Sequence, residues 1–222
     1  MLKQAYLYEY FMAKKIAALS QKGGVGKSTI VRLIAREFAL ADWNVKIGDF
    51  DINQGTCVNW KRRREQNALE PEIGVETFRT VSQALKVVNF YDLFLFDGQP
   101  HSSSLTLEIA CVCDAILLPT GLSRDDLEPS ILLAHELIAQ KIDSKKIAFL
   151  LCRVGESRIE IAESRDYIKK AGYNVLDYEL PEKIGYRRAS DDGKAVTEAN
   201  HPSLKIKAEK FAQSIINFIN QT

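Results

Sequence analysis

Two lysines, three glycines and a serine–threonine pair crowd into the run QKGGVGKST, Gln21 to Thr29. Glycines at 23, 24 and 26 remove the side chains that would stop the backbone turning tightly, so the loop Gly23-Gly24-Val25-Gly26 can aim successive N–H groups at one anion. Lys27 then brings a point charge to the outer phosphates of a polyphosphate, and Ser28 brings a hydroxyl to Mg²⁺. The more specific feature is Lys22. It stands ahead of the glycines, where the general pattern GxxxxGK[ST] accepts almost any residue.

Two aspartate-bearing segments complete this chemistry. VKIGDFD, Val45 to Asp51, reads as a strand ending in acid, followed by the polar turn INQGT. Of its two carboxylates Asp51 is the better placed to approach a phosphate. YDLFLFD, Tyr91 to Asp97, is an apolar strand with a carboxylate at its end, the arrangement that holds the hydration shell of a phosphate-bound magnesium; Asp97 is the metal-side candidate, acting through water.

The elements that must position these groups follow from periodicity. Lys15 to Ser20 is a short apolar run suited to a buried strand, and Ile30, Leu33, Ile34 and Phe38 recur at helical spacing after the glycines. Strand, loop and helix thus come in the order that places a phosphate at a helix N-terminus. Strands are expected near 15–20, 45–50, 73–77, 92–97, 114–118, 146–152 and 174–178. Helices are expected near 27–40, 56–66, 80–88, 103–111, 125–140, 157–171, 182–190 and 203–219. This alternation predicts an α/β fold, a doubly wound and mostly parallel sheet flanked by helices, with the ligand at the carboxyl ends of the strands.

The stretches KGGVGKST (22–29), DFDINQGT (49–56) and LFLFDGQP (93–100) together resemble the ParA/MinD family of deviant Walker A ATPases, a branch of the P-loop NTPases. AILLP (115–119) and the segment 186–198, with Gly193 in place, extend the likeness from about residue 14 to the end; Asn59-Trp60 is most similar to small ParA proteins of plasmid partition. The resemblance implies ATP and Mg²⁺ as ligands and an ATP-dependent homodimer. In it Lys22 would cross the interface to the partner's nucleotide, and Asp51 would position the attacking water. Thr29 would lie near the α-phosphate, and Arg153 and Pro181 beside the base. Arg153 also reads as one half of a surface ion pair.

Two departures from the family pattern stand out. Asn53 takes the place of the usual proline in the acidic turn, loosening it. Asp97 is followed by Gly98-Gln99-Pro100, in which Gly98 offers a backbone N–H to the terminal phosphate.

Bulk properties set bounds. The chain has 222 residues, enough for one α/β domain, expected over 14–222 behind an extension of residues 1–13. Thirty basic against 29 acidic residues leave a formal charge of +1, so any contact with nucleic acid must come from a local patch. Cys57, Cys111, Cys113 and Cys152 form no CxxC pair and read as buried, reduced residues of a cytosolic protein. No apolar run reaches the roughly 18 residues that span a bilayer.

Basic residues cluster at Lys61-Arg62-Arg63-Arg64, Lys169-Lys170, Arg187-Arg188 and Lys205, Lys207, Lys210. Each is by default a solvated helix face. By family resemblance Arg187, Arg188, Lys205, Lys207 and Lys210 are the candidates for nonspecific DNA binding, while Arg62 to Arg64 are open to a partner or the dimer mate. The apolar stripe of the last helix, Leu204 to Ile219, fits a helix docked on the sheet better than one lying in a membrane. The resulting expectation is an ATPase of DNA partition, nucleoid-associated when ATP-bound and stimulated by a small DNA-binding or cargo adaptor. A membrane-cycling positioning ATPase and a cargo or conjugation accessory ATPase are the alternatives.

Overall fold

A computed structural model describes residues 12–100 and 104–222. Of the expected amino-terminal extension, only Met12 and Ala13 fall within them. The chain alternates β1 (Lys14–Ala18), α1 (Lys27–Leu40), β2 (Val45–Asp49), α2 (Thr56–Gln66), β3 (Gly74–Thr77), α3 (Val81–Leu85), β4 (Leu93–Asp97) and α4 (Ser104–Val112). It continues through β5 (Ala115–Thr120), α5 (Arg124–Ala139), β6 (Ile147–Val154), α6 (Arg158–Lys170), β7 (Asn174–Val175), β8 (Leu180–Pro181), α7 (Ile184–Asp191) and α8 (Pro202–Ile219).

The strands join in the order β3-β2-β4-β1-β5-β6-β7, with β8 also pairing β6, and every pairing is parallel. A parallel sheet must be covered on both faces, and the sequence supplies apolar side chains on both. Ile16 and Ala18 of β1, with Leu93 and Leu95 of β4, join Ile30, Ile34, Trp60, Phe211 and Ile215 beneath α1, α2 and α8. Ala17, Phe94 and Phe96 face the other way, onto Ile109, Leu133, Leu137 and Ile168 of α4, α5 and α6.

The strand expected at 174–178 shortens to two residues, and Leu180–Pro181 forms a strand of its own. Both pair only with β6 at the sheet's edge, so short backbone pairing suffices there. The helix expected over 80–88 ends at Leu85 and passes into a 3₁₀ turn at Val88–Phe90. The apolar stripe of α8 is buried on the sheet through Ala208, Phe211, Ala212, Ile215, Phe218 and Ile219. Among the described residues no helix is long and apolar enough to cross a membrane.

Candidate functional site

The glycine loop joins β1 to α1 at the carboxyl edge of the sheet, beside the ends of β2 and β4. Gly24 and Gly26 have φ of +75° and +112°, conformations that a side chain would strain. A Cβ built on Gly23 would meet nothing within 4 Å, so the loop presents an open face.

Lys27 is buried beneath that loop and donates from Nζ to the Lys22 carbonyl at 2.9 Å. Burial lowers its pKa, and the carboxylates of Asp97 and Asp51 oppose the shift. Lys22 points elsewhere: its Nζ lies 3.1 Å from Asp126 Oδ1 on α5.

The two aspartates of the acidic segment divide their work. Asp49 is fully buried and accepts from the backbone N–H groups of Asp51 (3.1 Å), Cys57 (2.8 Å) and Val58 (3.4 Å). It therefore satisfies the first N–H groups of α2, where a carboxylate also meets the positive end of the helix dipole. Burial, followed by the charge of Asp97, still pushes its pKa up to about 6. Asp51 is only half-buried and closes a turn in which its Oδ1 accepts from Gln54 N at 3.2 Å. It borders a cavity of about 190 Å³ shared with Lys27, Ser28, Thr56, Asp97 and Gly98.

Asp97 sits opposite Asp49 in the β2–β4 register and is 2% exposed. Its Oδ2 accepts from Cys57 Sγ at 3.1 Å, while its Oδ1 has no hydrogen-bond partner among the described residues. Burial raises its pKa, and the Ser28 hydroxyl, the Cys57 thiol, Arg32 and Lys27 work against that rise. Burial, then the charge of Asp97, pushes the Cys57 thiol well above its ordinary range. An open glycine cradle, a buried lysine beneath it and an orphaned carboxylate oxygen beside Ser28 form a donor set that fits a magnesium-bound polyphosphate.

A second cavity, about 340 Å³, lies on the far side of the loop between Arg153, Pro181, Tyr186 and Arg187. Gly24, Gly26, Thr29 and Arg32 line both cavities, making one cleft. Such a cleft has room for a base and sugar next to the phosphate cradle. Arg153 uses both ends of its fork, donating to the Gly24 carbonyl at 2.7 Å and pairing with Glu182 at 3.0 Å. The surface ion pair expected of Arg153 is thus present.

Other expectations change. The Gly98 N–H is engaged by the Ala18 carbonyl at 3.2 Å, so the sheet consumes the donor expected to face a phosphate. Arg62 to Arg64 do not form a patch: Arg64 is buried, pairs with Glu198 at 2.8 Å and donates to the Gly193 and Pro71 carbonyls. Arg63 bonds the Ser190 carbonyl, leaving only Arg62 of the three exposed. Arg187, Arg188, Lys205, Lys207 and Lys210 are all exposed, Arg187 at the mouth of the cleft and Lys205 3.9 Å from Glu209.

Sequence reasoning missed Arg32, Asp126 and the place of Cys57 in the site. Arg32 is buried, donating to the Thr56 carbonyl at 2.5 Å and Ser190 Oγ at 3.0 Å, and its guanidinium lies 5.6 Å from the Trp60 ring. Nothing in the helical spacing of α1 marks it.

The model of the CobQ/CobB/MinD/ParA nucleotide-binding domain matches residues 16–196, a span that holds the glycine loop, both aspartate strands and the cleft. The chain belongs to this family. A comparison with curated protein sequences finds no significant match. Solved structures of ParA/MinD proteins share the fold. A putative plasmid partition protein from Borrelia burgdorferi B31, bound to AMPPNP, has a TM-score of 0.71 at 15% identity, covering 92% of this chain and 99% of that one. The septum site-determining protein MinD of Pyrococcus horikoshii OT3, complexed with Mg-ADP, has a TM-score of 0.68 at 15% identity over 95% of this chain and 96% of the other. A single-residue variant of Cyanothece McdA, in complex with ATP, reaches 0.68 at 13% identity over 92% and 96%.

Proposed function

We propose that this ParA/MinD-family protein is an ATP-driven switch of DNA partition, which dimerises around ATP and Mg²⁺, binds DNA without sequence preference and hydrolyses ATP slowly until an adaptor stimulates it. The observation that supports this most is the joining of Lys22 and Lys27 on one open glycine loop, flanked by the unpartnered oxygen of Asp97 and by the half-buried Asp51. In this reading Gly23, Gly24, Val25, Gly26 and Thr29 cradle the phosphates, and Lys27 holds the outer ones. Ser28 and, through water, Asp97 hold the metal, and Asp51 orients water. Arg153 and Pro181 border the base. Bound Mg²⁺ would neutralise charge building on the transferred phosphoryl group.

Lys22 takes the cross-subunit role in this reading. Two ATP-bearing faces repel unless a cation lies between them, and a lysine ahead of the loop can supply it.

The burial of the α8 stripe favours DNA over a lipid surface as the second ligand. Co-sedimentation with nonspecific DNA and with anionic lipid vesicles, each with ATP and with ADP, tests this. ATP-dependent retention on DNA alone is expected. Retention on vesicles would replace the reading with a membrane-cycling one, and retention on neither would leave the cargo-accessory role.

A further inference from the structure

We propose that Cys57 is a positioning residue for the magnesium-side carboxylate, tying Asp97 to the turn that carries Asp51. The proposal rests on the nucleotide reading above and concerns a residue outside the glycine loop and both aspartate motifs.

Cys57 is the second residue of α2 and is fully buried. Its side chain and its backbone act on different carboxylates. Sγ donates to Asp97 Oδ2 at 3.1 Å, and its N–H donates to Asp49 Oδ2 at 2.8 Å. Because Asp49 and Asp97 stand opposite each other on β2 and β4, this one residue spans the gap between the two strand ends. The turn just before it is closed by Gly55 N donating to the Asp51 carbonyl at 2.7 Å. Displacement of Asp97 is thereby felt at the start of α2, and through it at Asp51.

The consequence for Asp97 is orientation. One oxygen is held by the thiol, and the other is buried without a partner beside the loop. A carboxylate free to rotate would offer either oxygen; this one offers Oδ1. Partners of this kind, one bond removed from the ion's own shell, fix the groups that hold it. A buried cysteine more commonly fills space as a small hydrophobe. The two roles separate by substitution, because serine keeps a donor at the same place while alanine keeps only the apolar stub.

The test compares the parent, Cys57→Ala and Cys57→Ser as full chains. A fluorescent, non-hydrolysable ATP analogue is titrated at a series of Mg²⁺ concentrations, and melting is recorded without Mg²⁺. Cys57→Ala is expected to bind the analogue like the parent without Mg²⁺ but to need about tenfold more Mg²⁺ to reach the tight-binding state, the lower end of what losing an outer-shell partner costs. Cys57→Ser is expected to stay near the parent. An unchanged Mg²⁺ requirement in Cys57→Ala, or an equal loss in the alanine and serine variants, overturns the proposal. Should the alanine variant melt below the assay temperature, the serine variant decides: a parent-like requirement supports the role, and a shifted one overturns it. A parent that binds no analogue at any Mg²⁺ concentration would instead overturn the nucleotide reading itself.

Discussion

Lys22 Nζ lies 3.1 Å from Asp126 Oδ1 of its own chain, so the lysine ahead of the glycines is held back against α5. The two side chains are 38% and 28% exposed, and a partly solvated pair of this kind is worth up to about 1 kcal/mol. A lysine destined for a nucleotide on another subunit can exchange so weak a partner for phosphates at little cost. Lys22→Ala is therefore expected to abolish ATP-dependent dimerisation in light scattering while retaining nucleotide binding, and Lys27→Ala to lose both. A dimer contains two such pairs, so Asp126→Ala should change its affinity by no more than about 30-fold. Dimerisation of Lys22→Ala at the parent's level would rule out the cross-subunit role.

Asp49 and Asp51 are separable by experiment. Asp51→Ala should bind ATP, dimerise and melt like the parent but hydrolyse about 100-fold more slowly or worse, the usual loss for a positioned proton acceptor. Asp49→Ala should lose stability first, since it leaves the N–H groups of Cys57 and Val58 at the start of α2, and that of Asp51 in the turn before it, without their acceptor. If thermal melting singles out Asp51→Ala instead, the two roles are exchanged.

Acid pH provides a further check on Asp49. Its folded pKa of about 6 lies above its ordinary 3.8, so the folded state holds the proton more tightly than the unfolded one. Its contribution to stability is fully present below pH 3.8 and is lost as the pH rises through about 6, by up to about 3 kcal/mol. Asp97 shifts in the same direction and adds to the trend. The melting temperature of the parent relative to Asp49→Asn should fall across that window and level off above it. A difference that stays constant with pH would show that Asp49 does not titrate there.

Arg64, paired with Glu198, is expected to be the most costly basic residue of its cluster to remove. It is 3% exposed, stacks 5.5 Å from the Trp60 ring and is packed below Gly193, where a Cβ would come within 2.3 Å of the Arg64 nitrogen. Arg64→Ala should destabilise by about 3–5 kcal/mol, as removal of one partner of a buried pair does. Arg62→Ala should stay within about 0.5 kcal/mol of the parent in denaturant unfolding. Equal effects would mean that the cluster is a surface feature after all.

What the chain discloses in advance depends on whether a group's role is local. The glycine loop, β2, β4 and the helices are legible because phosphate cradles and apolar periodicity are short-range patterns. Arg64 reads in sequence as part of a charged face, although the spacing Cys57, Trp60, Arg64 marks one side of a helix and is the buried side of α2. Four consecutive basic residues, about 100° apart around a helix, cannot all face solvent. The bond from Gly98 to Ala18, the hold of Asp126 on Lys22 and the bridge made by Cys57 join residues 40 to 104 positions apart. Such pairings are set by strand order, which no local window contains.

The surface basic residues now divide by position. Arg187 stands at the mouth of the cleft, so its removal risks weakening nucleotide binding along with any DNA contact, whereas Arg188 and Lys207 are exposed outside it. Lys205 is paired with Glu209 at 3.9 Å, but at that exposure the pair leaves the charge available to phosphate. DNA retention should be measured at several salt concentrations for Arg188→Ala, for Arg187→Ala/Arg188→Ala and for Lys205→Ala/Lys207→Ala, with light scattering as the control for dimerisation. Every side chain that no longer neutralises a phosphate reduces the salt slope by about 0.9, and a dimer counts each substitution twice. At least one of the three variants should therefore bind more weakly with a flatter slope while ATP-driven dimerisation persists. If all of them retain the parent's slope, Arg187, Arg188, Lys205 and Lys207 do not carry DNA, and Lys210 of α8 with the exposed Lys169 and Lys170 of α6 becomes the next surface to test.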